Sequence, residues 1–136
     1  MRKKNKRGAG FLVYKNIDGE EKLLILLNPE GKFDIPKGHG DNTDLDNFGT
    51  AQRECFEETQ IFVTRSDLIV NDTYTDGGLT IFCARTNKDP VLTPNPQTKK
   101  LEHVESFWLQ PNLAIKILPA YLSASVRWSL KYVVNT

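Results

Sequence analysis

The stretch GTAQRECFEETQ (Gly49–Gln60) sets three glutamates and an arginine within six positions of what reads as a helix. Glu54 and Glu58 stand one turn apart, where like charges repel. On a wheel of about 100° per residue, Leu45, Phe48, Ala51, Cys55 and Thr59 form one stripe that faces the core, and Glu54, Glu57 and Glu58 share a flank beside it. Arg53 stands one turn before Glu57 and can pair with it, but one arginine does not neutralise three acids. Grouped carboxylate oxygens suit a hard divalent cation such as magnesium, which takes carboxylates together with waters and substrate phosphates. A solvated charged face is the other meaning of such a helix.

Upstream of the helix, GAGFLVYK (Gly8–Lys15) and EKLLILLN (Glu21–Asn28) read as strands joined by a turn at Asn16–Gly19. The run Leu23–Leu27 is apolar without alternation, which predicts a central strand covered on both faces. FDIPKGHG (Phe33–Gly40) reads as a loop, because Pro36 biases Ile35 to extended geometry and two glycines follow. Downstream, strands are expected near Ile69–Tyr74, Leu79–Arg85 and Val104–Leu109. The Pro-rich NKDPVLTPNPQTKK (Asn87–Lys100) is too polar and broken to pack, and long loops of that kind often border sites. PNLAIKIL and AYLSASVRWSLKYVV read as closing helices, with Pro111 and Pro119 suited to their first turns. Strands interrupted by one helix and closed by others predict an α/β (α+β) fold, a mixed central sheet in an α/β/α sandwich.

A chain of 136 residues fits one domain with one core. Its basic residues crowd into MRKKNKR (Met1–Arg7), read as a disordered basic tail ahead of a single domain over 8–136, with a contact to RNA or another polyanion as the alternative. Net charge is only +1, so the rest of the chain is slightly acidic and presents no broad basic surface for nucleic acid. No apolar run approaches the roughly 20 residues of a membrane span, so no membrane partner is expected. The apolar stretch after Gly10 is broken by Lys15 and Asp18 and does not read as a signal peptide. Cys55 and Cys83 are too few for a disulfide scaffold or zinc site, which fits a reducing cytoplasm; both are expected in the interior rather than as nucleophiles, and Trp108 and Trp128 are expected in the core.

GHGDNTDLDNFGTAQRECFEETQI (Gly38–Ile61) resembles the Nudix box, G-x5-E-x7-R-E-U-x-E-E-x-G-U with U apolar. Arg53-Glu54-Cys55-Phe56-Glu57-Glu58 matches in full, and Ile61 fills the last apolar place. Three departures stand out. Asp44 replaces the first glutamate, one extra residue lies before Arg53, and Gln60 replaces the second glycine. Beyond the box, FDIPKGH, LEHVESFWL and the closing helix are similar to asymmetrical diadenosine tetraphosphate hydrolases and to diphosphoinositol phosphohydrolases.

The resemblance implies hydrolysis of a nucleoside diphosphate linked to another group, with magnesium, or manganese in its place, as cofactor. It assigns Glu54, Glu57 and Glu58 as metal ligands, with the Gly38 carbonyl as a backbone ligand, Glu54 also as catalytic and Arg53 as the residue that orients the glutamates. Glu102 would be the general base or an additional ligand. Lys37 and His39 are expected at the substrate phosphates, though each is also an ordinary surface side chain. His103 reads more simply as a satisfied or solvated histidine. Tyr74 and Phe82, on strands after the box, are the candidates for stacking on a base, with core packing the competing reading for both. The substrate expected is a bis(5'-nucleosyl) tetraphosphate cut to ATP and AMP. Capped RNA, a nucleoside triphosphate, an inositol pyrophosphate, or nucleotide sensing without turnover are the other readings.

Overall fold

The computed structural model of the chain describes residues 4–133 apart from Pro96. Strand β1 (Lys4–Ile17) turns at Asp18–Gly19 into β2 (Glu20–Leu27). Both turn residues have positive φ, 54° and 87°, the two-residue hairpin geometry that matches strand twist. Strands β3 (Phe33–Asp34) and β4 (Lys37–Asp41) precede helix α1 (Asn47–Thr59), and β5 (Tyr74–Asp76), β6 (Leu79–Arg85), β7 (Glu105–Leu109), α2 (Pro111–Ile117) and α3 (Ala120–Ser129) follow.

One mixed seven-stranded sheet runs β3-β2-β1-β6-β5, with β4 paired to β1 and β7 to β2. β1 pairs parallel with β6 and antiparallel with β2 and β4. Because successive side chains alternate faces, Ala9, Phe11 and Val13 face α1 through Phe48, Ala51 and Cys55. Leu12 and Tyr14 face Ala114, Leu122 and Val126 of the closing helices. Leu23, Leu24, Ile25 and Leu26 are all fully buried, as a strand covered on both faces requires. The Tyr14 hydroxyl and Ser129 Oγ, 2.6 Å apart, satisfy each other inside the second layer.

Four expectations change. FDIPKGHG is not a loop: β4 takes the edge of β1 at Gly8–Gly10 beyond the stretch Tyr14–Ile17 that pairs with β2. Pro36 breaks β3 from β4, yet its carbonyl accepts the Phe11 N–H at 3.0 Å and ties this stretch to β1. Gly10 permits this approach, since a Cβ on it would lie 2.5 Å from the Pro36 carbonyl oxygen. The basic stretch is not a free tail throughout, because β1 begins at Lys4; residues 1–3 lie outside the described residues. The Arg7 guanidinium donates to Asn47 Oδ1 and Thr50 Oγ1 at the start of α1.

The third change is that the strand expected at Ile69–Tyr74 begins only at Tyr74, after a bridge between Leu68 and Ala84. Asn71, Asp72 and Thr73 favour a turn over a ladder there. Lastly, Pro111 opens α2 as expected, but Pro119 is the N-cap of α3, one position earlier than a first-turn proline, and α3 ends at Ser129. No helix among the described residues is long and apolar enough to cross a membrane.

Candidate active site

Helix α1 starts where Asp46 accepts the Gly49 N–H at 2.8 Å, an N-cap that satisfies one of the helix's open donors. Leu45 is 98% exposed, contrary to its expected place on the core stripe, because it precedes the helix and the 3.6-residue period does not reach it. On either side of Leu45 the chain is held down. Asp44 accepts from the Asp41 N–H and the Thr50 hydroxyl, and Asp41 accepts from Thr43.

Arg53 is the hub of the site. Its Nε and Nη2 donate to the two Asp44 oxygens at 2.9 and 3.0 Å, Nη2 donates to the His39 carbonyl at 3.0 Å, and Nη1 reaches Glu54 at 2.9 Å and Glu57 at 3.4 Å. Burial pushes the Asp44 carboxyl up, but the Arg53 guanidinium, the Asp41 N–H and the Thr50 hydroxyl together outweigh it and hold the group at about 2. Glu54 behaves in the opposite way: burial, with Glu57 and Glu102 nearby, pushes it up to about 7 against the pull of Arg53. The Glu54 carboxylate lies against Gly38 so closely that a Cβ on that glycine would fall 2.2 Å from the Glu54 carboxyl carbon.

Glu58 is deeper than its neighbours and is 8% exposed. One of its oxygens accepts the Lys37 N–H at 3.0 Å, and the other lies 3.4 Å from His103 Nδ1. Burial and the nearby Glu54 raise the Glu58 carboxyl well above the usual carboxylate range. His103 is itself buried, with Nε2 3.8 Å from Asp34. Lys37 Nζ lies 3.3 Å from Asp34; burial lowers the lysine, but Asp34 and the Tyr121 hydroxyl outweigh that and raise it.

Lys37, Gly38, His39, Arg53, Glu54, Glu57 and Glu102 line one open cleft of about 280 Å³. Beside it Glu57, Glu58, Glu102 and His103 line a small hollow of about 10 Å³, the space of a single water. Two expected residues are elsewhere. Phe82 sits in the core between Phe11 and Phe48, at ring distances of 5.8 and 5.4 Å, because β6 is covered on both faces. Tyr74 packs 6.1 Å from Trp128 on the face that carries α3 and does not line the cleft. Trp108 and Trp128 pack against the two core layers.

Asn95, Gln97 and Thr98 from the Pro-rich loop also line the cleft, and Tyr121, 41% exposed, lines a second hollow with Lys37 and His39. None of these stands out in the sequence. The one signal there is the length of the loop.

Among the described residues no three His, Cys, Asp or Glu side chains converge as a ready-made metal cage. The donors nonetheless suit a hard cation. All are oxygens, Glu54 is a carboxyl that a positive charge would ionise, and Gly38, without a Cβ, leaves room for that carboxyl against the β4 backbone. The open cleft leaves room for the waters and phosphate oxygens that magnesium retains.

No protein-family model matches the chain, and no curated protein matches its sequence. Among solved structures it is similar to a C. elegans Ap4A hydrolase in a binary complex, with 26% identity over 89% of this chain and 92% of that one and a TM-score of 0.69. The E. coli dihydroneopterin triphosphate pyrophosphohydrolase shares the fold at 16% identity, 98% coverage of both chains and a TM-score of 0.68. So does the Nudix domain of Shewanella oneidensis NrtR complexed with ADP ribose, at 16% identity, coverage of 94% and 90%, and a TM-score of 0.60.

Proposed function

We propose that this chain, a Nudix hydrolase by its fold and by the run Arg53–Glu58, is a metal-dependent pyrophosphohydrolase that cuts a bis(5'-nucleosyl) tetraphosphate to ATP and AMP. The observation that carries the reading is the set of carboxylates Glu54, Glu57 and Glu102 around a single cleft with Lys37 and Gly38. The 26% identical Ap4A hydrolase supports the choice of substrate.

Glu54, Glu57 and Glu58, with the Gly38 carbonyl, are the residues that would hold magnesium or manganese. Bound there, such an ion would supply positive charge to the phosphate oxygens and lower the pKa of a water. Arg53 orients Glu54 and Glu57 from one side while Asp44 fixes its guanidinium from the other. Lys37 and His39 line the cleft where a polyphosphate would lie, and Lys37 binds a phosphate oxygen as a point charge. Glu102 takes a proton from water as it attacks phosphorus; the anhydride bond breaks and the leaving nucleotide departs with the bridging oxygen. Cytoplasmic location is part of the same reading, supported by two free, buried cysteines whose thiols burial pushes up to about 12.

The test is hydrolysis of diadenosine tetraphosphate with magnesium or manganese, with products separated by chromatography. ATP and AMP in equal amounts are expected, and none without metal. Two ADP molecules would mean symmetric cleavage, and faster turnover of capped RNA, a nucleoside triphosphate or an inositol pyrophosphate would reassign the substrate. Tight nucleotide binding without turnover would make the protein a sensor.

A further inference from the structure

We propose that Asn95 is a positioning residue that fixes the Glu102 carboxylate at the cleft, an assignment that rests on the reading of Glu102 as the base. The segment between β6 and β7 is tethered at two points. The Thr93 hydroxyl donates to the Glu57 carbonyl at 3.1 Å, and the Val104 N–H donates to the Leu27 carbonyl at 2.7 Å. Between these tethers the chain closes around Asn95. Its backbone N–H donates to the Lys100 carbonyl and its carbonyl accepts the Lys99 N–H, both at 2.8 Å, while Lys99 turns the chain at φ 62°.

The side chain completes the arrangement. Asn95 Oδ1 accepts the N–H groups of Gln97 and Thr98 at 2.8 and 3.1 Å. Two backbone donors on one oxygen decide which way the amide points, since an amide nitrogen there would face donors and have nothing to give its protons to. The Nδ2 group is therefore the one that faces Glu102, and it donates to Oε1 at 2.5 Å.

Glu102 is exposed, and an exposed glutamate samples many rotamers at little cost. A neutral donor fixed by the loop selects one of them without cancelling the carboxylate's charge. Asn95 also borders both the cleft and the water-sized hollow beside Glu57, Glu58 and His103. The same side chain thus closes the loop and aims the acid.

A double-mutant cycle on the full chain separates those two jobs. Asn95→Asp keeps an acceptor for Gln97 and Thr98 but puts an oxygen where the donor to Glu102 stood. Steady-state kinetics with magnesium and diadenosine tetraphosphate compare the parent, Asn95→Asp, Glu102→Gln and the double variant, with unfolding temperatures measured alongside. Misplacing a base is expected to lower kcat about tenfold or more with KM within about threefold. In the Glu102→Gln background the same change is expected to move kcat by less than about twofold. Should Asn95→Asp unfold, Asn95→Ser, which keeps a short acceptor for the loop, is read by the same cycle.

Asn95→Asp at the parent rate, or equal losses in both backgrounds, would leave Asn95 as a loop cap and overturn the proposal alone. A Glu102→Gln variant at the parent rate would overturn the reading of Glu102 and the proposal with it.

Discussion

Arg53 and Asp44 form a two-pronged pair, Nε to Oδ1 at 2.9 Å and Nη2 to Oδ2 at 3.0 Å, across the turn that leads into α1. The aspartate stands where the box has a glutamate, and Leu45, the residue after it, turns out to solvent. The pair fixes the arginine that faces Glu54 and Glu57.

Its removal should be felt as stability and pH dependence. Asp44 is held at about 2 in the folded protein against an ordinary value of 3.8. The folded pKa is depressed, so the stabilisation is complete above the unfolded value and is lost as pH falls from about 4 through 2. A shift of this size corresponds to about 2 kcal/mol. Urea unfolding should find Asp44→Asn less stable by about that amount at pH 7. The gap between the two proteins should narrow as the pH is lowered from 4 towards 2, and a constant gap would assign it to packing.

Glu54→Gln should separate activity from stability. Turnover should fall by at least about two orders of magnitude, as when electrostatic stabilisation of a transition state is removed. Stability without added metal should be equal or higher. Folding raises this carboxyl from 4.5 to about 7, so its ionisation costs the folded state increasingly as pH rises through that interval, and glutamine has no charge to bury. Thermal unfolding at pH 8 in the presence of a chelator checks the second half. Full activity at saturating magnesium would sink the first.

The helix end offers an independent test. Gln60 has φ 62° and ψ 13°, the left-handed geometry in which the box places glycine, and its N–H caps the helix by donating to the Phe56 carbonyl at 2.9 Å. A side chain with a Cβ resists that geometry by roughly 1 kcal/mol. Gln60→Gly relieves the strain, less the greater freedom of glycine in the unfolded chain and the side-chain contacts to Phe56 and Thr93. A net gain of a few tenths to about 1 kcal/mol is expected by urea unfolding, with activity little changed. A loss exceeding about 0.5 kcal/mol would mean that those contacts outweigh the strain.

What the sequence disclosed followed the range of the forces involved. Ala51, Cys55 and Thr59 are buried where the helical period put them, since that period is a local property of the chain. Leu45 failed because a wheel does not know where a cap ends the helix. Phe82 was ambiguous because an apolar strand between two helical layers buries its rings on both faces, and Tyr74 because a ring at the start of an edge strand can pack inward or meet a ligand. The role of Gly38 as close neighbour of Glu54 and the pairing of Glu58 with His103 both depend on contacts between distant parts of the chain. No spacing within the sequence encodes those.

The pairing of β7 with β2 brings Leu24 opposite Trp108, and it is this late strand that delivers Glu102 and His103 to the carboxylates of α1. The cleft therefore has one wall made early in the chain and one made near its end. Helix α1, its Asp46 cap and the Arg53 pair involve only nearby residues and can form on the time of local ordering, whereas the second wall waits on a long-range closure. In refolding from urea, recovery of the far-ultraviolet helix signal should run ahead of the recovery of turnover. A protein stopped midway would own every residue of the box and still be unable to use it.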